Sequence, residues 1–333
     1  MKKILLISLI SILVTITAAC GSDHEPKSES AYGEALNVYT TVYPLTYFTE
    51  RIGGDQVNVQ SVYPAGSNEH TFDPTQQDMM SLADADLFFY IGLGLEGFVE
   101  NAKKTLVNEK VMMIATADAV SEETLVESEV HEDEDEHEDQ HAHEDEHEES
   151  HDGHDHGEID PHLWISPKIS IQLASSIKDS LIKKDNENEA LYTKNYEALV
   201  NELKELDTAF MEMANASENK TFFVSHAAFG YLAKDYGLEQ MAVAGLNSQD
   251  EPSQKELTEL VDLAKDKNIK TILFEQNVTS NLAKVIQNEV GAEALTMHNL
   301  SVLMQQDIDN NETYFTLMKQ NLETLEKALQ SSN

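Results

Sequence analysis

Residues 36–63, LNVYTTVYPLTYFTERIGGDQVNVQSVY, contain the pattern that decides the fold. Two short runs, Asn37–Thr41 and Val57–Tyr63, have the composition of strands, and Leu45–Ile52 between them has the apolar spacing of a helix. A strand, a helix and a second strand in this order form a βαβ unit, which joins parallel strands. The segment therefore predicts a parallel sheet covered by helices.

The same alternation continues to residue 120 and returns after residue 220. In the first region we predict further strands at Asp86–Ile91 and Val111–Ala115, and helices at Thr75–Leu82 and Leu95–Leu106. In the second region we predict strands at Phe222–Ser225, Gln240–Ala244 and Thr271–Phe274, and helices at Ser253–Lys267 and Leu282–Val290. The chain is thus expected to be an α/β protein with two lobes, each with a mostly parallel sheet flanked by helices.

One long helical pattern lies between the two regions. Its apolar residues recur every three or four positions: Tyr192, Tyr196, Leu199, Leu203, Leu206, Phe210 and Met213. This pattern predicts a helix of about six turns that joins the lobes, the alternative being a core helix within one lobe. We place an N-terminal lobe at 35–185, the linking helix at 186–215 and a C-terminal lobe at 216–333.

The N-terminus has the order of a secretory signal. Lys2 and Lys3 precede an apolar run, Ile4–Ile16, and small residues follow it. The run is shorter than the ~20 apolar residues that a membrane-spanning helix needs. We therefore expect residues 1–19 to be a cleaved signal peptide.

Cys20 is the single cysteine of the chain. Because it follows two alanines, its setting resembles a bacterial lipobox, in which the thiol is lipidated and becomes the new N-terminus. Thr17 departs from this motif, which usually has an aliphatic residue there, and a chance cysteine is the alternative. We expect Cys20 to anchor the protein to a membrane, with residues 20–34 as a flexible lipidated tether.

The net charge is −39, which repels nucleic acid and anionic lipid and favours cations as ligands. Residues 127–158 contain 17 of the 61 acidic residues, no Lys or Arg, and few apolar residues, so we expect a disordered loop. Two interpretations stay open for this loop: a weak collector of metal ions with several sites, or a solvated spacer. Its candidate accessory ligands are His131, His137, His141, His143, His147, His151, His154 and His156.

Three further histidines occupy distinctive settings. His70 lies in YPAGSNEHTFDP (63–74), His162 in DPHLWISP (160–167) and His226 in FFVSHAAFGY (222–231). Two of them follow predicted strands, and ligands in open α/β sheets bind beyond the carboxyl ends of strands. Imidazole suits Zn²⁺, so the three histidines are candidate zinc ligands.

A tetrahedral zinc site needs a fourth donor. Glu275, at the end of the strand Thr271–Phe274, is the first candidate, and Glu69, beside His70, is the alternative. His298 follows no comparable strand and is interpreted as structural or as a surface residue. Trp164 and Phe229, which flank the ligand candidates, are expected to line the cleft rather than bind metal.

The segments NEHTFDPT, GLGLE, DPHLWISP, SHAAFGYL and LFEQN resemble the metal-binding subfamily of ABC-transporter solute-binding proteins, and its zinc-binding lipoproteins in particular. The resemblance runs from about residue 36 to the C-terminus. It implies two α/β lobes joined by one long helix, with metal in the cleft between them. It also places the three histidine ligands of the family on His70, His162 and His226, and the final carboxylate ligand on Glu275.

Manganese-binding relatives carry a carboxylate instead of the third histidine and an aspartate at the fourth position, so His226 and Glu275 favour zinc. The resemblance implies a lipid-anchored monomer that captures Zn²⁺ on the outer face of a bacterial membrane and delivers it to an ABC-type permease. We expect no enzymatic activity. The alternatives are a manganese-binding protein, an adhesin with a structural zinc, and a zinc hydrolase.

Overall fold

The first four strands form a sheet in which every hydrogen-bonded pair is parallel. The computed structural model describes residues 35–125, 159–278 and 280–330. The strands are β1 (Leu36–Thr40), β2 (Val57–Ser61), β3 (Leu87–Tyr90) and β4 (Met112–Ala115), in the order β2-β1-β3-β4. The helices that connect them are α1 (Tyr43–Gly53), α2 (Gln76–Ala83) and α3 (Val99–Thr105).

Two long helices, α4 (Pro167–Lys184) and α5 (Glu189–Ala216), follow this sheet. The start of α4 is fixed by Ser166, whose hydroxyl accepts a hydrogen bond from the amide of Ile169 at 3.1 Å, and by Pro167 in the first turn. A serine cap satisfies an amide that has no partner within the helix, and proline has the backbone angle that a first turn needs. This capped start lies four residues after His162 and so defines the local backbone beside it.

The second sheet repeats the arrangement of the first. Its strands are β5 (Thr221–His226), β6 (Glu239–Ala244), β7 (Thr271–Phe274) and β8 (Glu293–Thr296), all parallel, in the order β6-β5-β7-β8. The remaining helices are α6 (Gly230–Tyr236), α7 (Gln254–Asp266), α8 (Asn281–Val290), α9 (Gln305–Asp309) and α10 (Tyr314–Gln330). In both sheets the first strand is central, so its carboxyl end lies between two neighbours.

The 28-residue helix α5 contacts elements of both halves of the chain, the first half containing strands β1–β4 and the second half strands β5–β8. It packs against α1 and α4 from the first half and against α6 and α10 from the second. Its buried residues fall on one face: Tyr192, Leu199, Leu203, Leu206, Phe210, Met213 and Ala214. The long helix and the α/β fold with two parallel sheets are confirmed.

One apolar core runs through both halves of the chain. Leu45 in α1, Phe210 in α5 and Leu325 in α10 are fully buried members of it. A second, smaller core lies beneath α7 and α8 and includes Phe223 and Ile272. From Ala35 onward the chain forms one compact unit. The boundaries at 185 and 215 remain predictions.

The helix predicted at Leu95–Leu106 begins later, at Val99. The buried carboxylate of Glu96 accepts hydrogen bonds from the amides of Ile91 (2.8 Å) and Gly92 (3.0 Å), which closes a turn before the helix. Gly92 and Gly94 have the positive φ angles, 94° and 82°, that such a turn requires. The preceding residues therefore belong to the turn and not to α3.

Candidate metal centre

Three histidine side chains from distant parts of the sequence lie close together in the fold. His70, His162 and His226 each offer a ring nitrogen, and these nitrogens all lie within 4.8 Å of one another. Their ring centroids are 5.4, 5.3 and 4.9 Å apart. Within the described ranges, this is the one group of three or more His, Cys, Asp or Glu residues with such spacing. The sequence motifs predicted these three residues as ligand candidates, and the fold places their side chains next to one another.

Parallel pairing explains why His226 and Glu275 are neighbours. His226 ends β5, and Glu275 directly follows β7, which is paired with β5. The carboxyl ends of parallel strands meet at the same edge of a sheet, where open α/β folds bind their ligands. Both residues are buried there. This edge of the second sheet therefore supplies one wall of the site.

His70 comes from the segment between β2 and α2. Its amide donates a hydrogen bond to the side chain of Asn68 at 2.9 Å, and Asn68 also donates to Ser248 of the second half at 3.0 Å. Burial, followed by the nearby rings of His162 and His226, lowers the pKa of His70 to about 3. The ring is therefore neutral at physiological pH, as a metal ligand must be.

The ring of His162 is oriented by Asp160. One carboxylate oxygen accepts from the His162 amide at 2.8 Å and lies 2.7 Å from Nδ1. Because a carboxylate accepts hydrogen bonds, Nδ1 carries the proton and Nε2 keeps its lone pair. In the described part of the chain, the Nε2 atoms of His70 and His162 are the buried side-chain nitrogens and oxygens without a hydrogen-bond partner. Nε2 of His162 therefore has a lone pair that no described group uses, and Nε2 of His70 is a second buried ring nitrogen without a partner.

His226 is held on both sides. Its Nδ1 lies 3.2 and 3.1 Å from the two oxygens of Glu275, and its Nε2 lies 2.9 Å from the carbonyl of Leu246. Burial alone would lower its pKa, but the charge and hydrogen bond of Glu275 outweigh burial and, with the Leu246 carbonyl, raise it to about 9. Because both nitrogens face acceptors, the ring is protonated in this arrangement. A metal ion bound by this ring would replace the proton on one of the two nitrogens and the hydrogen bond that this proton makes.

Two buried carboxylates lie next to the histidines. Glu69 has an oxygen 3.9 Å from Nε2 of His70, and burial raises its pKa. Glu275 contacts His226; burial opposes its ionisation, but the charge of His226 lowers its pKa overall. Neither carboxylate is a member of the three-residue group. Glu275 is nevertheless the candidate that directly contacts a member of the group.

Sequence reasoning missed Asn299, which connects these two carboxylates. Its side-chain amide nitrogen donates to Glu69 at 3.2 Å and to Glu275 at 2.8 Å, and its backbone carbonyl accepts from the indole of Trp164 at 2.7 Å. Asn299 lies outside the predicted strands and motifs, and its neighbours come from distant parts of the chain. No signal in one sequence could have identified it.

The remaining aromatic and histidine candidates fall around the group. Trp164 is fully buried with its ring centroid 5.4 Å from that of His162, and Phe229 is also fully buried. His298 lies outside the group, where Nε2 is 3.1 Å from Asp307 and Nδ1 accepts from the amide of Leu300 at 2.8 Å. These contacts give His298 a structural role. Cys20 and the eight loop histidines lie outside the described residues.

Two parallel sheets, a long helix and a cluster of histidines are the features expected of a metal-binding solute-binding protein. The chain belongs to the ZnuA family, described as zinc-uptake complex component A, periplasmic, whose model matches residues 38–328. It is 34% identical over 321 residues to the high-affinity zinc uptake system protein ZnuA of Bacillus subtilis, covering 96% of each chain.

Two further comparisons concern streptococcal relatives. The chain is 34% identical to the zinc-binding lipoprotein AdcA of Streptococcus pneumoniae over 98% of its own length, but it spans only 61% of AdcA. The crystal structure of the Zn(II)-bound ZnuA-like domain of that protein aligns with a TM-score of 0.70 and 31% identity, covering 89% of this chain and 99% of that domain. The similarity therefore extends over the described fold and includes a relative solved with zinc.

Proposed function

We propose that this chain captures Zn²⁺ outside the cytoplasm and delivers it to an ABC-type permease for zinc uptake. His70, His162 and His226 are the proposed ligands, with Glu275 as the fourth donor. The observation that carries the proposal is the convergence of three imidazoles, two of them fully buried and the third nearly so, and the buried Nε2 atoms of His70 and His162 that have no hydrogen-bond partner among the described groups. Membership in a zinc-uptake family supports zinc as the ion.

The donor set favours zinc over manganese. Three imidazoles and one carboxylate form a compact four-coordinate site, which suits Zn²⁺, whereas Mn²⁺ prefers more oxygen donors. The test is metal analysis of protein purified without added metal, followed by competition between Zn²⁺ and Mn²⁺. One bound zinc per molecule and weaker manganese binding are expected. Preferential retention of manganese would contradict the proposal.

The fourth donor can be tested by comparing two isosteric variants. We expect Glu275→Gln to weaken zinc binding about 10- to 100-fold, because it removes a charged oxygen that either binds the metal or orients His226. Glu69→Gln should weaken binding less. Glu96→Gln is the matched control, since Glu96 is an equally buried carboxylate that serves the turn after β3.

Calorimetric titration of the three proteins gives the comparison. If Glu69→Gln has the larger effect and Glu275→Gln the smaller, Glu69 is the fourth donor and the proposed assignment is wrong. An equal loss in Glu96→Gln would mean that the carboxylate substitutions act through the fold.

The family is one of solute-binding proteins rather than enzymes. A hydrolytic zinc keeps one coordination position open for water, and a fourth protein donor would close it. We therefore propose no catalytic role. Esterase and peptidase assays on the zinc-loaded protein are expected to give no turnover above that of the His162→Ala variant, and zinc-dependent turnover would favour a hydrolase.

We propose that the acidic segment 127–158 supplies additional, weaker zinc sites. Deleting it should leave the tight site intact, because His70, His162 and His226 lie among the described residues, outside the segment. The lost equivalents should be weak, because the eight histidines are spaced irregularly along a polar, acidic sequence that has few apolar residues to build a packed site. They should be lost first as the pH falls below ~6.5, where imidazole becomes protonated. Calorimetry on both proteins measures the stoichiometry.

The matched control keeps the length of the segment and replaces its eight histidines with asparagine. It should lose the same weak equivalents as the deletion. Loss of the tight site in either protein would mean that the segment supplies a ligand to the cluster, and unchanged total stoichiometry would identify it as a spacer.

A further inference from the structure

Asp160 is held by the second half of the chain as well as by His162. While its carboxylate oxygen Oδ1 accepts from His162, its backbone carbonyl accepts from the hydroxyl of Tyr231 at 2.8 Å. The Asp160 side chain is only 3% exposed. The residue that orients one member of the histidine group is therefore itself positioned by α6.

The other carboxylate oxygen of Asp160 lies against Gly230. A Cβ atom added at Gly230 would lie 2.7 Å from Oδ2 of Asp160, which is closer than real Cβ contacts allow. The φ angle of Gly230 is not among the positive values, so its backbone conformation does not require glycine. The glycine is thus explained by the space that Asp160 occupies.

We propose that Gly230 and Tyr231 are positioning residues that act on His162 through Asp160. This inference rests on the proposed zinc function. His226 ends β5, and Gly230 follows it by four residues, so one short segment supplies a proposed ligand and also the contact surface for the carboxylate that orients another. With Asp160 in place, Nδ1 of His162 carries the proton and Nε2 is available for the metal.

Gly230→Ala is the principal test. The added methyl group must displace Oδ2 of Asp160, so we expect zinc affinity to fall about 10- to 100-fold, the range for losing an outer-shell partner. Tyr231→Phe should give a smaller loss, because the hydrogen bond it removes is made to the backbone carbonyl of Asp160 and not to the carboxylate that contacts His162. Gly97→Ala is the matched control, since no atom lies within 4 Å of a Cβ at that position. It should bind zinc as the unmodified protein does.

A double-mutant cycle separates positioning from general damage. If Gly230 acts through Asp160, then Gly230→Ala should cause little further loss in a protein that already carries Asp160→Ala. An additive loss in the double variant would overturn the proposal. So would unchanged zinc affinity in a folded Gly230→Ala protein.

The tautomer of His162 gives a readout that does not depend on zinc. In the metal-free protein, nitrogen NMR should show the proton of His162 on Nδ1, and in Gly230→Ala it should shift toward Nε2. If Gly230→Ala does not fold, as judged by its thermal unfolding, the same two measurements on Tyr231→Phe decide the question. Absence of tight zinc binding in the unmodified protein would instead refute the proposed function, while the tautomer would still test the contact.

Discussion

Replacing His70, His162 or His226 with alanine is expected to lower the affinity for Zn²⁺ by about 100-fold or more. Structural zinc sites have apparent binding free energies of roughly 10–16 kcal/mol, so one of four donors accounts for about 3 kcal/mol. A change of about 1.4 kcal/mol corresponds to a tenfold change in affinity. Calorimetric titration, with a chelator competitor for the unmodified protein, measures the loss.

His298→Ala is the control for these variants, because His298 is also buried but contacts Asp307 rather than the group. It should retain one tight zinc, even where its thermal stability is lower. If two of the three single variants keep undiminished affinity, the ligand assignment is wrong. Equal weakening in His298→Ala would indicate an effect of the fold on the site.

The second large effect is expected at Cys20. Cys20→Ser should transfer the protein from the membrane fraction to the soluble fraction, because serine cannot carry the thioether-linked lipid that we propose as the anchor. Each buried methylene group of an acyl chain contributes about 0.8 kcal/mol to membrane binding. Among the described residues, no helix is long and apolar enough to span a bilayer. Cell fractionation followed by immunoblotting measures the distribution.

Thr17→Leu is the matched variant, since it introduces the aliphatic residue that is usual three positions before a lipidated cysteine. It should stay in the membrane fraction. The soluble Cys20→Ser protein should bind zinc with unchanged affinity, because Cys20 is the single cysteine and no internal disulfide is lost. Retention of Cys20→Ser at the membrane would refute lipid anchoring.

The sequence predicted the strands and helices well where an apolar run is bounded by turn residues. The strand Thr271–Phe274 was predicted with its observed bounds, and β5 extends the predicted Phe222–Ser225 by one residue at each end. β8 was missed, because three of its four residues are exposed and it lacks an apolar run. Helices α4, α6, α9 and α10 were also not predicted, although the Ser166-Pro167 pair is a recognisable helix start.

The site was only partly accessible to sequence reasoning. Strand ends and proline-flanked motifs identified His70, His162 and His226, because such positions recur where open sheets bind ligands. The residues that contact these rings could not be identified from the sequence in the same way. Asp160 lies two residues from His162, but its contact with Gly230 depends on how the two halves of the chain pack. The direction of Glu275 toward Nδ1 of His226 likewise follows from strand register.

The separate small core beneath α7 and α8 has a consequence for local unfolding. These helices bury few side chains: Ala264 from α7, and Ala283 and Ile286 from α8. Strand β5 alternates between the cores, with Phe222 and Val224 in the main core and Phe223 in the small one. Segments with few buried contacts open at a lower free energy than the whole protein. This helical layer can therefore undergo hydrogen exchange by local opening, while the main core still holds the strand that carries His226.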